Sequence, residues 1–203
     1  MCGHYFFEDP NTSKEIKIIC DAITQRYRDS NRSVVLKYGQ INPTDSAPVL
    51  IEEQDISQPV LMKWGFPKWK GSGVLINARA ETAADKPTFM SSVDKRRCII
   101  PASGFFEWAH HDDGTKTKYL LTDGRSPIIY MAGLYSVFKD PQGDKYAAYV
   151  ILTVNANESV RPIHERMPLI IESAQSDLWL KDTSYAKTLL LSPCPAMMDA
   201  VKV

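Results

Sequence analysis

The chain begins with a methionine followed by a cysteine, and a cysteine at this position offers chemistry that an internal cysteine lacks. If Met1 is removed, Cys2 carries a free α-amine beside its thiol. The amine titrates near about 8 and the thiol near about 8.5, so a minority of each is nucleophilic at neutral pH. Such a 1,2-aminothiol attacks acyl groups through sulfur, or condenses with an aldehyde and closes a five-membered thiazolidine ring. Alone, Cys2 is more simply a small residue that permits methionine removal, so its assignment depends on the rest of the chain.

Four further segments, in order along the chain, combine with the N-terminus into one pattern. They are Trp64-Gly65-Phe66-Pro67-Lys68-Trp69, Asn77-Ala78-Arg79-Ala80-Glu81-Thr82, Arg97-Cys98-Ile99-Ile100-Pro101-Ala102-Ser103-Gly104-Phe105-Phe106-Glu107-Trp108, and Thr153-Val154-Asn155-Ala156 followed by Ile163-His164-Glu165-Arg166-Met167-Pro168. With Met1-Cys2-Gly3, these segments closely resemble the SRAP family, the SOS response-associated peptidase-like proteins that cross-link to abasic sites in single-stranded DNA. The resemblance extends from residue 2 to about residue 170.

The resemblance implies a catalytic set of Cys2, Asn77, Glu107 and His164. Cys2 is the implied nucleophile toward the ring-opened aldehyde of an abasic deoxyribose. Glu107 stands between two aromatic residues on a predicted strand, where partial burial raises a carboxyl pKa and suits the group to act as acid and base. An imidazole such as His164, with an ordinary pKa of about 6.5, can protonate or hydrogen-bond the sugar. The Asn77 amide can orient the reactants but does not transfer protons efficiently.

The resemblance also implies contacts to DNA. The implied contact residues are His4, Pro43, Trp69, Arg79, Trp108, Thr153 and Arg166. Basic residues hold the phosphates of single strands and aromatic faces stack on the bases, although each tryptophan is as readily explained as core. Because phosphate contacts carry no base identity, we expect recognition of the lesion and of single-strandedness.

Other basic residues extend or modify this predicted surface. Lys63, Lys68, Lys70 and the run 95–97 are candidates for widening the basic track, although a charge run is more often a solvated face. Position 4 is commonly arginine in the family. His4 replaces that permanent charge with a group that titrates, so any phosphate contact there is expected to depend on pH.

Three other interpretations of the same residues stay open. Cys2 could serve a cysteine peptidase, including an autopeptidase, with His164 or Glu107 as its base. The chain could instead be a noncatalytic single-stranded DNA-binding module, in which case substitution of Cys2 leaves binding intact. A metal site on Cys2 and His4 lacks a further Cys/His pair at the usual spacing, so we expect no metal and no cofactor. Dependence on the free amine separates aldehyde capture from the alternatives.

Composition sets broad limits. The 203 residues include 24 basic and 24 acidic side chains, so net charge gives no indication of a nucleic-acid or membrane partner and any such binding needs a local patch. The four cysteines are widely separated, which is typical of a reduced, intracellular protein. Neither a secretion signal nor an apolar run of about 18 residues is present. We expect a monomer in the cytoplasm, nucleoid-associated when bound to DNA, with replication-fork proteins as candidate partners and no membrane partner.

The sequence pattern also predicts the elements that position these residues. A capping box at Thr12 and apolar residues at helical spacing predict a helix that ends near Ser30-Asn31. From there to about residue 80, proline and glycine divide the chain into short strands and loops, and a short helix follows at Pro87. Strand-like runs lie at 98–100, 104–108, 119–122, 128–131, 134–138 and 146–154, and a last helix lies at 173–180.

Turn signals between these runs favour an antiparallel meander. We therefore predict one α+β domain over residues 1–203, with a largely antiparallel, partly barrel-like sheet flanked by a few helices. The family resemblance implies that this is the SRAP fold.

Overall fold

A computed structural model describes residues 2–28 and 35–203 of the protein. The strands in these ranges are β1 (His4–Phe7), β2 (Gly39–Ile41), β3 (Ser46–Glu53), β4 (Ile56–Trp64), β5 (Phe66–Pro67), β6 (Val74–Leu75), β7 (Asn77–Arg79), β8 (Arg97–Ala102), β9 (Gly104–His110), β10 (Lys116–Thr122), β11 (Ile129–Lys139), β12 (Lys145–Asn155), β13 (Arg166–Pro168), β14 (Ile170–Ile171) and β15 (Asp199–Lys202). The α-helices are α1 (Lys14–Arg28), α2 (Ala80–Ala83), α3 (Met90–Lys95), α4 (Ser176–Lys181) and α5 (Thr183–Leu190), and a 3₁₀ turn covers Ser173–Gln175.

Five of the strands close into a barrel. The order is β12-β4-β3-β8-β11, and β11 pairs back with β12. Every pairing in this ring is antiparallel except that of β4 with β12, which is parallel. All six residues of β8 are buried, and its apolar run explains why this strand lies within the core. The short strands β7 and β13 extend the barrel by pairing with β12.

A second sheet, antiparallel throughout, has the order β15-β10-β9-β1-β2. Alternation along its strands gives it two different faces. The inner face is apolar, and Tyr5, Phe7, Phe105 and Leu121 on it are fully buried. The outer face carries half-buried aromatic and basic side chains. Because β1 begins at residue 4, this sheet also fixes the position of Cys2, two residues before it.

The predicted α+β class and partly barrel-like sheet are confirmed, and most predicted elements are present. The two runs predicted at 128–131 and 134–138 form one strand, β11, because the glycine between them continues the pairing with β12. The helix predicted at Pro87 begins at Met90, and the last predicted helix is a 3₁₀ turn followed by α4. The short elements α2, α5 and β15 were not predicted.

The N-cap of the first helix lies one residue later than predicted. Ser13 Oγ accepts a hydrogen bond from the Ile16 N–H at 3.4 Å, whereas Thr12 Oγ1 donates to the Asp9 carbonyl at 2.6 Å. Ser13 is therefore the capping residue, and the prediction for Thr12 was wrong. The predicted end at Ser30-Asn31 lies outside the described residues. Among the helices described, none is both long and apolar enough to span a membrane.

Candidate active site

Cys2 lies just before β1 and is fully buried. The Asn77 side chain donates a hydrogen bond from Nδ2 to the Cys2 carbonyl oxygen at 2.8 Å, and the Cys2 thiol lies 3.7 Å from the His4 carbonyl oxygen. Asn77 is itself fixed, because β7 pairs with β12 and places Asn77 opposite Ile151. The chain thus brings two predicted catalytic residues, 75 positions apart, into direct contact.

Burial raises the pKa of the Cys2 thiol well above its ordinary value, and the negative charge of Glu107 raises it further. At neutral pH the thiol is therefore protonated in this arrangement. A thiol in this state is a poor nucleophile on its own, because the thiolate is the reactive form. Sulfur chemistry at this site requires a nearby base to take the proton.

Glu107 is the nearby carboxylate. It lies on β9, one residue beyond the pairing of Phe106 with His4, and it is 2% exposed. Burial raises its pKa, while the charge of His164 acts in the opposite direction. A buried carboxyl with a raised pKa can accept and return a proton near neutral pH. Glu107 and His164 share a cavity of about 280 Å³ that is also lined by Trp108, His110 and Lys116.

His164 lies in the loop between β12 and β13, and its ring is oriented by its neighbours. The backbone N–H of Arg166 donates to His164 Nδ1 at 2.9 Å. Nδ1 also lies 3.2 Å from the Arg166 carbonyl oxygen, so the backbone of Arg166 fixes the orientation of the ring.

Arg166 does not present its guanidinium to solvent. The residue is 6% exposed, and its two terminal nitrogens donate to both Glu81 carboxylate oxygens at 2.8 and 2.9 Å, to Asn155 Oδ1 at 2.7 Å and to the Thr153 carbonyl at 2.6 Å. The predicted phosphate contact by Arg166 stays a prediction. In this structure, the pair with Glu81 joins α2, which follows β7, to the loop that holds His164.

Two further predicted contact residues are buried. Thr153 is fully buried within β12, and its predicted contact with DNA stays a prediction. Arg97, from the predicted basic run 95–97, is 6% exposed, and it donates hydrogen bonds to the carbonyls of Trp179 and Leu180 among others. Both side chains lie in the core, because Thr153 belongs to the barrel strand β12 and Arg97 to the barrel strand β8.

Four other predicted contact residues are exposed or half-buried. Trp69 is 96% exposed at the turn between β5 and β6, and Arg79 is exposed at the end of β7. Trp108 is half-buried on the outer face of the second sheet. Pro43 is half-buried in the turn between β2 and β3.

His4 is half-buried beside Trp108, and the two rings meet edge-on at 5.3 Å. Burial lowers the pKa of His4, and the positive charge of Lys118 lowers it further. His4 is therefore neutral at pH 7.

Sequence reasoning missed Lys118, which completes this outer face. Its Nζ lies 4.0 Å from the centre of the Phe106 ring and 5.6 Å from that of Trp108, and it donates to Gln40 Oε1 at 2.9 Å. Lys118 lies opposite Trp108, and Lys116 lies opposite His110, in the pairing of β9 with β10. The alternation of lysines at 116 and 118 was the available signal, but only the strand register shows which aromatic residues they meet.

The described residues contain no group of three or more His, Cys, Asp and Glu side chains arranged to hold a metal ion. The site is therefore described by its organic groups: a buried thiol, a buried carboxyl, an oriented imidazole and an amide that holds the backbone.

This geometry defines a class of α+β barrel protein in which a buried cysteine lies beside an asparagine and a buried glutamate. The family model described as SOS response associated peptidase (SRAP) matches residues 1–203, and the chain belongs to this family, as its sequence motifs predicted.

The chain is similar to several curated proteins. It is 33% identical over 172 residues to the abasic site processing protein YoqW of Bacillus subtilis, covering 80% of this chain and 77% of that protein. It is 34% identical over 172 residues to the abasic site processing protein YoaM of the same organism, covering 80% of this chain and 76% of that protein. Among solved structures, a protein from Bacteroides thetaiotaomicron matches with a TM-score of 0.79 and 25% identity, over 100% of this chain and 92% of that one.

Proposed function

We propose that the protein captures abasic sites in single-stranded DNA by forming a covalent thiazolidine through Cys2, once Met1 has been removed. The observation that carries this proposal is the convergence of Asn77 and Glu107 on Cys2, with His164 in the same cavity as Glu107. The names of the relatives YoqW and YoaM, both abasic site processing proteins, support the same activity.

The reaction forms two bonds at one carbon. The Cys2 amine adds to the aldehyde carbon of the ring-opened deoxyribose, and loss of one water gives an imine. The Cys2 sulfur then bonds to the imine carbon, the thiol proton leaves, and the imine nitrogen takes up a proton as the five-membered ring closes. The overall reaction consumes one aldehyde and releases one water, and it needs no oxidant or reductant.

Each neighbouring side chain has a role in this sequence. Glu107 accepts the thiol proton and returns a proton to nitrogen, which its raised pKa permits near neutral pH. His164, whose ring is oriented by the backbone of Arg166, hydrogen-bonds the sugar oxygen that is freed when the ring opens. Asn77 holds the Cys2 carbonyl and so fixes the direction of the amine and thiol.

The outer face of the second sheet supplies a binding surface for the strand. Trp108 offers a ring for a base, and Lys118 offers a charge for a phosphate. Trp69 and Arg79 are exposed candidates for further contacts, and Pro43 shapes a neighbouring loop. Because these groups read phosphates and base faces, binding is expected wherever single-stranded DNA forms, as in the nucleoid at replication forks.

The experiment incubates protein whose N-terminus is verified by mass spectrometry with a single strand that carries one abasic site. A denaturing gel then reports any covalent species. We expect a heat-stable adduct that requires Cys2 and the abasic site and is absent with intact DNA. A Cys2→Ser variant keeps the amine, so it should give only an imine that borohydride traps and heat destroys. No adduct from protein that begins at Cys2 would refute the proposal.

The same experiment separates the alternatives. A peptidase would form an acyl-enzyme through the thiol and would tolerate a blocked amine, so acetylation of the N-terminus is the deciding control. A noncatalytic module would bind the strand equally well with Cys2→Ala and would leave no covalent species. Slow release of DNA from the adduct, tested with Glu107→Gln, would show whether the same carboxyl also reverses the reaction.

A further inference from the structure

A large groove lies away from Cys2, at the end of the barrel where β4 and the hairpin of β11 and β12 meet. Its volume is about 980 Å³. The lining residues that matter here are Lys63, Pro67, Lys139, Asp140, Lys145 and Tyr146. The proposed capture reaction does not use any of these residues.

Three lysines give the groove a positive charge. Lys63, Lys139 and Lys145 are exposed and come from three different strands. Within the described part of the chain, none of the three forms a salt bridge with a carboxylate. Lys139 and Lys145 are directly opposed in the antiparallel pairing, and like charges in that position destabilise a hairpin. A bound anion would remove this repulsion.

Among the described lining residues, Asp140 is the only acidic one, and one carboxylate does not balance three lysines. Asp140 Oδ1 accepts hydrogen bonds from the backbone N–H groups of Gln142 and Asp144, at 3.0 and 2.8 Å. Its carboxylate therefore stabilises the turn between β11 and β12. The groove keeps a net positive charge in a chain whose overall net charge is zero.

Aromatic rings accompany the lysines. Lys63 Nζ lies 5.8 Å from the centre of the half-buried Tyr146 ring. A neighbouring cavity of about 580 Å³ shares Pro67 and Lys139 with the groove and includes the exposed Trp69. Lys68 and Lys70 line that cavity on either side of Trp69 along the chain. Lysines interleaved with exposed ring faces are the combination that binds single-stranded nucleic acid.

The strand pairing connects the groove to the candidate active site. β4 and β7 both run parallel to β12, with Lys63 opposite Ala148 and Asn77 opposite Ile151. The hairpin of β5 and β6, which carries Trp69, lies between them in the chain. From Lys145 to Ile151 along β12 is roughly 20 Å. The groove, the hairpin of β5 and β6 and the candidate active site therefore lie in this order along β12.

We propose that this groove binds the part of the single strand that flanks the lesion, with phosphates on Lys63, Lys139 and Lys145 and a base against Tyr146. The inference rests on the proposed function, because it extends the path of the same strand. It predicts that affinity depends on strand length, since a short strand that fills the active site does not reach the groove.

The test compares a triple variant, Lys63→Gln, Lys139→Gln and Lys145→Gln, with a control triple that removes the same charge elsewhere. Suitable control residues are the exposed lysines Lys14, Lys17 and Lys86. Equilibrium binding is measured with undamaged single strands of about 5 and about 20 nucleotides, over a range of salt concentrations. Cross-linking of abasic strands of the same two lengths is measured in parallel.

The groove variant should bind the long strand roughly tenfold more weakly at about 0.1 M salt, and its salt slope should fall by about 2, whereas the control should match the unmodified protein. Binding and cross-linking of the short strand should be unchanged. Equal behaviour of the two triple variants on the long strand would overturn the inference, as would an equal loss on both strand lengths. If the unmodified protein forms no adduct, the proposed function fails, but the binding comparison still decides whether the groove holds the strand.

Discussion

Substitution of Glu81 by alanine tests whether the buried Arg166 organises the candidate active site. Glu81 holds both terminal nitrogens of Arg166, and the backbone N–H of Arg166 holds His164 Nδ1. Without Glu81, the buried guanidinium keeps Asn155 Oδ1 and the Thr153 carbonyl as acceptors but loses its counter-charge. We therefore expect a loss of stability together with a less well ordered His164 loop.

The magnitude follows from the unequal exposure of the two partners. Removing one partner of a fully buried ion pair costs about 3 to 5 kcal/mol. The Arg166 side chain is 7% exposed, but that of Glu81 is 42% exposed, so water already screens the pair from one side and can replace part of it. We expect the free energy of unfolding to fall by about 2 kcal/mol.

The assay is urea unfolding at several pH values, combined with the rate of adduct formation. The hydrogen bonds from Arg166 lower the pKa of Glu81, so its stabilisation is present above the ordinary carboxyl pKa of 4.5 and is lost as the pH falls through the lowered folded-state value. The difference between the unmodified protein and Glu81→Ala should thus be full at pH 7 and shrink below pH 4.5. The cross-linking rate should fall about tenfold under conditions where both proteins are folded.

Glu165→Ala is the matched control for this substitution. Glu165 is an exposed carboxylate next to His164, and no salt bridge joins it to another described residue. Its loss should change stability by less than about 0.5 kcal/mol and leave the rate unaltered. The reasoning is refuted if Glu81→Ala is as stable and as fast as this control, or if its stability deficit does not depend on pH.

Two further substitutions test the carboxyl and the exposed ring. Burial raises the Glu107 pKa, so the folded protein favours the protonated carboxyl. The stability of the protein that depends on this protonated form is lost as the pH rises through the folded-state pKa of Glu107. Glu107→Gln should therefore unfold at a higher temperature than the unmodified protein at pH 8, with little difference near pH 4, while adduct formation slows. A lower unfolding temperature at pH 8 would contradict this. Trp69→Ala should leave the unfolding temperature unchanged, because the ring is 96% exposed, but should weaken binding of an undamaged strand by about 1 to 3 kcal/mol. Unfolding at a markedly lower temperature would show that Trp69 belongs to the core.

The strands between residues 97 and 155 could be predicted because apolar runs there are separated by clear turn signals. The C-terminal elements α5 and β15 could not. The residues of β15 are all exposed, so its sequence lacks the apolar alternation that identifies a half-buried strand, and its position is set by pairing with β10. Likewise, Ser13 rather than Thr12 caps α1, because Asp9 engages the Thr12 hydroxyl.

The candidate site could be predicted only from several sequence motifs considered together. No single glutamate, histidine or asparagine in the sequence indicates catalysis, and the resemblance alone selected Glu107, His164 and Asn77. The resemblance also carried over Arg166 as a phosphate contact. The sequence could not show that Arg166 pairs with Glu81, because Glu81 is 85 residues away and only the pairing of β7 and β13 with β12 brings the two together.

Burial of both Cys2 and Glu107 favours one order of the proposed reaction. Each pKa is raised by burial, and the charge of Glu107 itself opposes ionisation of the thiol. A free thiolate beside a carboxylate is therefore disfavoured at this site. We propose that the amine adds first and that the thiol then loses its proton to Glu107 as sulfur bonds to the imine carbon. Proton transfer and ring closure are in this way coupled at one carboxyl group, and a variant without that group should accumulate the imine, which borohydride can trap.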